Sequence, residues 1–506
     1  MTELFDRAAD QGDRLALTEG DRGVRYAELL TMAGRLSHAL RRLAGPDRHA
    51  DLAGDRVAVL IPPSAEYVAA QWGVWHAGGM FVPLSMSAAE AELEYAVADS
   101  DPRMVLTTAG LRDRLLTVCE RLGVTLHGVE DKFDRDPAEP LPPPDVSPGR
   151  PAMMLYTSGT TSRPKGVVIT HAMLDAQIRS LVEAWRWGAD DRIPLFLPLH
   201  HIHGIVNVLS CCLWSGGTVD VMPRFEMKTL LDRVAAGRYG VFMAVPTIYV
   251  KLLQTLTPDH PAVAGFRDMR LMVSGSAALP ASVHDAWHAL TGQKLLERYG
   301  MTEIGMALSN PYEGERRPGA VGRPLPGVEA VLVAEDGSVV EAEGEPGKIH
   351  VRGPAVFSEY WRKPDQTAKA FTTADDPVGA GWFRTGDMAV VEAGYHRIFG
   401  RASVDVIKSG GYKLSALEIE AALLEHDAIA ECAVVGLPDE TWGEVVAAAL
   451  VCDGDPPTVE ELHAWAKDRL SHYKLPRRLL VTDALPRNAM GKLTKPAVRD
   501  LFEDAA

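Results

Sequence analysis

The chain reads as an α/β protein with a large N-terminal domain of α/β sheets, a small antiparallel β subdomain within it, and a separate small α+β domain at the C-terminus. Three patterns predict this. A strand–helix–strand succession stands near Val57, an Asp-Gly hairpin signal changes the texture near Gly327, and a fresh series of helices and strands follows Arg401. The 506 residues allow it, since roughly 150 residues per domain gives two to four domains and at least one large buried core. With 46% hydrophobic and 24% charged residues, the composition excludes wholesale disorder, collagen and coiled coil.

Each element follows from its local pattern. VAVLI at 57–61, PPSAEYVAAQWGVWHAGG and then MFVPL give an apolar run, a segment of helical length and a second apolar run, hence a βαβ unit with parallel strands. Seven prolines over 137–151 are too dense for a helix or a central strand, so this stretch is expected to be an extended surface connection separating two subdomains. Residues 153–156 and 167–169 read as strands flanking a Ser/Thr/Gly loop. A helix follows with Leu174, Ile178, Leu181, Val182 and Trp185 on one face. From Gly327, VEAVLVAEDGSVVEA carries a tight-turn signal and KIHVRG continues as strand, which places the β subdomain at about 327–400. The last unit, 402–506 against 1–401, has a helix near 417–424, strands near 430–435 and 445–451, and a helix opened by a Thr458/Glu461 capping box.

Charge and cysteine usage narrow the partners. Lys and Arg sum to 52 and Asp and Glu to 68, a net charge of −16 that repels nucleic-acid backbones and anionic membranes, so an anionic ligand needs a locally positive pocket. The five cysteines show no paired metal spacing and read as small buried hydrophobes of a reducing compartment. The polar, acidic start and an apolar run of only 205–214 point to a soluble cytoplasmic protein, with small molecules rather than nucleic acid or membrane as partners and an oligomeric state the sequence leaves open.

The most informative string is YTSGTTSRPKG at 156–166. A Ser/Thr/Gly loop between strands, ending in a lysine, can present backbone N–H groups, hydroxyls and an ammonium to a polyphosphate, although no Ser or Thr follows the lysine as a Walker A loop requires. Taken alone, such a loop is more often ligand-free. Four further strings accompany it in order: ERYGMTE at 297–303, WFRTGD at 382–387, GRASVDVIKSGGYK at 400–413 and PRNAMGK at 486–492. Over nearly its whole length the chain thereby resembles the adenylate-forming superfamily, which includes acyl-CoA synthetases, luciferases and the adenylation domains of peptide synthetases.

The resemblance implies an acyl-CoA synthetase/luciferase-like fold, with ATP and coenzyme A as co-substrates, Mg²⁺ as cofactor and a mobile C-terminal domain. It implies that Thr157, Ser158, Gly159, Thr160, Thr161 and Lys165 hold the ATP phosphates, that Thr302 touches the α-phosphate and that Glu303 helps hold Mg²⁺. A hard cation that keeps several waters needs only one or two protein carboxylates. Tyr299 would stack on adenine, with Ser276, Ala277, Ala278, Glu297, Gly300, Met301 and Lys413 around the nucleotide, while Asp387 and Arg401 hold the ribose. Lys492 would bridge the acyl carboxylate and the α-phosphate, offsetting their repulsion. After a rotation about a hinge just after Arg401, among Ala402, Ser403 and Val404, the segment Ser409, Gly410, Gly411 and Tyr412 would line the pantetheine tunnel, with Arg477 and Arg478 available to the phosphates of coenzyme A. Three residues, Ala402, Ser403 and Val404, separate Arg401 from Asp405 where two are usual, and Ser162 stands where glycine is common.

The acyl group is read from two strings. PLHHIHGIVNV at 198–208 lacks the aspartate with which amino-acid-activating domains bind an amino group. Arg298 stands where many fatty and aromatic acyl-CoA synthetases carry a small or neutral residue, and a guanidinium suits a second carboxylate rather than a fatty tail. In ERYGMTE and HHIHG the chain looks like the malonyl-CoA synthetases. Malonate is the implied substrate, gripped by Arg298 and His203 beside Ser276, with Met306, expected one helical turn beyond Glu303, limiting 2-substituents so that methylmalonate also fits. The bland alternatives are a structural pair for Arg298 and a packed core position for His203. For the whole chain they are another acyl preference, a non-catalytic adenylate-binding protein, or a luciferase-like oxygenase.

Overall fold

The computed structural model describes residues 2–48, 50–130, 146–157, 163–401, 403–410, 412–487 and 493–504. Its main sheet has seven strands, in spatial order Glu359–Tyr360, Lys165–Thr170, Pro151–Thr157, Met80–Pro83, Arg56–Leu60, Met104–Thr107 and Leu126–Gly128. The expected βαβ unit lies in it: Arg56–Leu60 and Met80–Pro83 pair in parallel across the helix Ala65–His76. Ser64 caps that helix by accepting the Tyr67 N–H at 3.2 Å. The helix is buried all round, as an apolar sequence without a polar stripe requires.

One expectation is overturned. The proline-rich stretch does not separate two subdomains, because Pro151–Thr157, on its C-terminal side, pairs with Met80–Pro83, on its N-terminal side, in the same sheet. Pro151 itself opens the strand, a position where a missing N–H is tolerated; residues 131–145 lie outside the described residues.

A second sheet orders Val241–Ala244, Leu271–Ser274, Leu296–Met301, Gly305–Ser309 and Arg323–Pro324, the first three parallel. Its third strand carries most of the ERYGMTE string, and the last two strands continue from it antiparallel. A four-stranded sheet near the N-terminus (Arg22–Arg25, Leu15–Glu19, Thr218–Val221, Arg192–Leu195) completes the layers. The β subdomain is antiparallel, ordered Glu329–Val333, Gly347–Arg352, Phe383–Glu392, Tyr395–Arg401. Its Asp-Gly turn forms, with Gly337 at φ +87°, but the returning arm is a single bridge at Val339 rather than a strand.

Every strand of the fifth sheet comes after Arg401: Tyr412–Ser415, Val406–Ser409, Gly443–Cys452, Ile429–Asp439 and, paired to Gly443–Cys452, Arg478–Val481. The helices Ala416–Leu423 and Val459–Ala466 stand where the sequence predicts them, and Thr458 and Glu461 make the reciprocal capping bonds at 2.9 and 3.2 Å. The apolar clusters also divide here, with one set drawn from residues 4–389 and another from 407–502. Met388, Val390, Phe399 and Val406 form a small cluster across the junction. Among the described residues no helix is long and apolar enough to cross a membrane, and the apolar run at 205–214 is a buried π-helix, His203–Ser210, running into the short helix Cys211–Trp214. All five cysteines are free; Cys119, Cys211 and Cys212 are buried as expected, whereas Cys432 and Cys452 are only partly buried.

Candidate active site

The phosphate-type loop is closed by a hairpin. Pro151–Thr157 and Lys165–Thr170 pair antiparallel, with Thr157 opposite Lys165, so the two ends of the loop are held side by side. Glycine is required at 166, where a Cβ would lie 2.5 Å from the buried Met154 Sδ. Ser158, Gly159, Thr160 and Thr161 lie outside the described residues. Lys165 sits with its ammonium 4.7 Å from the centre of the Tyr360 ring, and the Tyr360 hydroxyl donates to Glu303 Oε1 at 3.1 Å. Burial raises the Glu303 carboxyl above its ordinary range, while hydrogen bonds and the positive charges of Arg401 and Lys165 oppose that rise. One enclosed carboxylate facing a lysine suits a divalent cation that takes most of its ligands from phosphate and water. Tyr360 was not singled out from the sequence; it falls in SEYW, outside every motif.

Three predicted nucleotide residues meet. Antiparallel register puts Asp387 opposite Arg401, whose Nε lies 3.2 Å from Asp387 Oδ1, and the Tyr299 hydroxyl donates to Asp387 Oδ2 at 2.6 Å. Burial and the adjacent carboxylate hold the Tyr299 hydroxyl well above its ordinary value, so it remains a donor. Its ring is thus anchored at the tip. Gly300 and Met301 finish the strand, and Thr302 and Glu303 form the turn to Gly305–Ser309. Met306 is therefore on a strand and not one helical turn beyond Glu303: it is buried, its Cε would lie 2.6 Å from a Cβ on Gly300, and its N–H is held by Gln177 Oε1 at 2.6 Å.

The acyl side is built on Arg298. Adjacent side chains on a strand face opposite ways. Glu297 turns from Arg298 to accept the Gly319 N–H at 2.8 Å, and burial pushes its carboxyl up to about 8. Arg298 Nη2 donates to Ser276 Oγ at 3.2 Å, and His203 Nδ1 lies 3.2 Å from the same oxygen. Arg298 is 4% exposed, its Nε has no partner among the described residues, and no carboxylate there pairs with it. Burial lowers its pKa to about 10 and holds His203 well below the usual histidine range, with Arg298 adding to the latter effect. The structural pair for Arg298 is thereby absent among the described residues, and His203 Nε2 is likewise buried without a partner there. Two glycines make room. A Cβ on Gly275 would lie 2.5 Å from the Arg298 guanidinium carbon, and one on Gly204 would lie 2.4 Å from Pro198 O. Ser276, Ala277 and Ala278 are exposed, with Ser276 at φ +72°.

Ser409 and Tyr412 lie on a hairpin, and Gly410 lies against Trp442, whose ring would sit 2.7 Å from a Cβ. Tyr412 is exposed and stacks on Tyr473 at 4.5 Å, while the Arg477 guanidinium lies 4.2 Å from the Trp442 ring centre. Lys413 pairs with Glu335 at 2.9 Å. Gly411 and Lys492 lie outside the described residues.

Residues 4–361 match the family described as AMP-binding enzyme, and 418–492 match the AMP-binding enzyme C-terminal domain. The mitochondrial malonate–CoA ligase of Homo sapiens is 42% identical over 98% of this chain and 91% of its own, and the malonate–CoA ligase of Arabidopsis thaliana 39% over 99% and 88%. ATP-bound MatB from Rhodopseudomonas palustris superposes with a TM-score of 0.89 at 35% identity, covering 100% of this chain and 99% of that one. Matched over both parts of its length, the chain belongs to the AMP-binding enzyme family.

Proposed function

We propose that this chain is an ATP-dependent malonate–CoA ligase working through malonyl-AMP. The observation that carries the reading is Arg298, a buried guanidinium one residue from Tyr299, oriented by Ser276 beside a neutral His203 and lacking an acid of its own among the described residues. Such a group favours a ligand that brings a carboxylate. The relatives named malonate–CoA ligase support the choice of acid.

In the first step a carboxylate oxygen of malonate attacks the α-phosphorus of ATP and the bond to pyrophosphate breaks. In the second, the thiol sulfur of coenzyme A attacks the acyl carbon, AMP leaves and the thiol proton passes to solvent. Both nucleophiles come from substrates. The protein's part is to hold the distal carboxylate at Arg298 and His203, the ribose at Asp387 and Arg401, the adenine at Tyr299 and the phosphates at the hairpin loop with Lys165 and Thr302. Mg²⁺, which spreads phosphate charge when bound, would rest on Glu303. Lys492 bridges the two anions in the first step. The units 1–401 and 402–506 then reorient so that Ser409, Gly410, Gly411 and Tyr412 replace it, with Arg477 near the phosphates of coenzyme A. We extend the reading to methylmalonate and to a cytoplasmic location; the five free thiols support the latter, while the human relative is named mitochondrial. Fractionation of cells expressing the tagged chain separates the two compartments.

Pyrophosphate release with malonate, methylmalonate, succinate, acetate and octanoate tests the reading. Malonate should be fastest, methylmalonate next and octanoate inactive. A faster rate with acetate or octanoate than with malonate refutes it.

A further inference from the structure

The C-terminal unit buries an ion cluster that the two-step scheme leaves unused. Lys495 opens the helix Lys495–Asp504, three residues beyond Lys492 in the chain, and is 7% exposed. Its ammonium donates to Val434 O at 2.6 Å, bonds Glu420 Oε1 and lies 3.4 Å from Asp405 Oδ1. Glu420 also accepts the Val434 N–H at 2.7 Å, and Asp405 Oδ2 accepts the Arg401 N–H at 2.9 Å. One ammonium therefore joins the helix Ala416–Leu423, the strand Ile429–Asp439, the turn after Arg401 and the helix after Lys492.

That turn is the junction where this chain has a residue more than its family pattern. Arg401 O accepts from the N–H groups of Val404 (3.2 Å) and Asp405 (2.8 Å), which holds Asp405 against Arg401. Gly400, at φ +126°, admits Asp405 where a Cβ would lie 2.4 Å from Asp405 Cβ. On the other side, the Arg401 guanidinium contacts Asp387. A chain of direct contacts thus runs from Asp387 through the junction to the helix that begins at Lys495.

Stability alone is a weak reason for the cluster. Two carboxylates share one ammonium, leaving one negative charge buried, and buried ion pairs seldom outperform apolar packing of the same volume. They do specify a single arrangement. We infer that Lys495 is a positioning residue for adenylation: through Asp405 and Glu420 it ties the junction turn to the helix that begins three residues after Lys492, so that Lys492 reaches the acyl carboxylate and α-phosphate at a reproducible place. A misplacement of about 1 Å in such a group can cost on the order of 100-fold in rate. The inference rests on the two-step ligase reading above.

Single-turnover pyrophosphate release at saturating ATP and malonate tests it in wild type, Lys495→Met, Asp405→Asn and the double variant. Lys495→Met should slow the step at least about tenfold with the KM values for ATP and malonate within about twofold, because the cleft is built from residues before Arg401. Asp405→Asn should slow it in the same sense, and the double variant should be no slower than Lys495→Met, as expected of residues acting as one unit. A wild-type rate in Lys495→Met, a loss confined to KM, or losses that multiply would overturn it. If melting shows Lys495→Met unfolded, Lys495→Met with Glu420→Gln, which keeps one buried negative charge, takes its place under the same criteria. Should wild type prefer another acid, the substrate reading fails and the same series is run with that acid, so the two failures stay distinct.

Discussion

An arginine shut away from water without an acid of its own among the described residues is costly to the free protein, and Arg298 is the residue on which the proposed choice of acid turns. Replacing it by methionine, which keeps the volume, should raise the stability of the ligand-free protein by about 1 kcal/mol. The same change should cost about 2 to 5 kcal/mol in kcat/KM for malonate, since the substrate's distal charge then lacks its partner. Differential scanning calorimetry and pyrophosphate release read the two effects, and a variant that is less stable but equally active would contradict both. Glu297, its neighbour in the strand, makes a pH prediction. Its folded-state pKa of about 8 exceeds the ordinary 4.5, so its contribution to stability is fully present below pH 4.5 and is lost as pH rises to about 8. Wild type should lose on the order of 1 kcal/mol per pH unit within that window. Glu297→Gln should flatten the slope of melting temperature against pH, and parallel slopes for the two proteins would rule the assignment out.

At the scale of elements, what positions the site is the contact of backbones. The π-helix His203–Ser210 starts against Pro198 O through Gly204, which sets the direction of His203. Gly204→Ala should force that backbone apart at a cost of about 1 to 3 kcal/mol. It should raise the KM for malonate several-fold while leaving that for ATP unchanged, a split that initial-rate kinetics resolves; an equal rise in both would mean the helix does not act on the acyl side. The helices and strands themselves were largely legible, because apolar periodicity reports burial directly: the βαβ unit, the loop hairpin and the capped helix at Thr458 all stand where their patterns lie. The π-helix was not legible, since an apolar run of that length has no period that distinguishes it from strand or α-helix. Nor was the place of Met306, whose spacing from Glu303 suits a helix as well as a strand.

At the scale of the whole molecule, sheets and cores divide at Arg401, and the proposed chemistry needs the division. Lys492→Ala should slow malonyl-AMP formation by about 3 to 4 kcal/mol, the worth of one preorganised charge at a developing anion. It should leave thioester formation from supplied malonyl-AMP near the wild-type rate. Quenched-flow measurement of each half reaction distinguishes this from general damage, which would slow both, and an unchanged first step would remove Lys492 from the scheme.

The order of motifs along the chain was enough to determine the family and the alternation of sheet and helix, and through the resemblance those motifs carry it nominated Lys165, Tyr299, Glu303, Asp387 and Arg401 for the site. Partnership was decided only in three dimensions. That Arg298 has no acid among the described residues, that Tyr360 stands between Lys165 and Glu303, that the strands on either side of the prolines share a sheet, and that Lys495 reaches Asp405 all depend on contacts between residues distant in the chain. Local periodicity carries no information about which distant group a buried charge will meet; packing alone settles that, because the folded interior leaves each buried charge with whichever groups the chain path brings beside it.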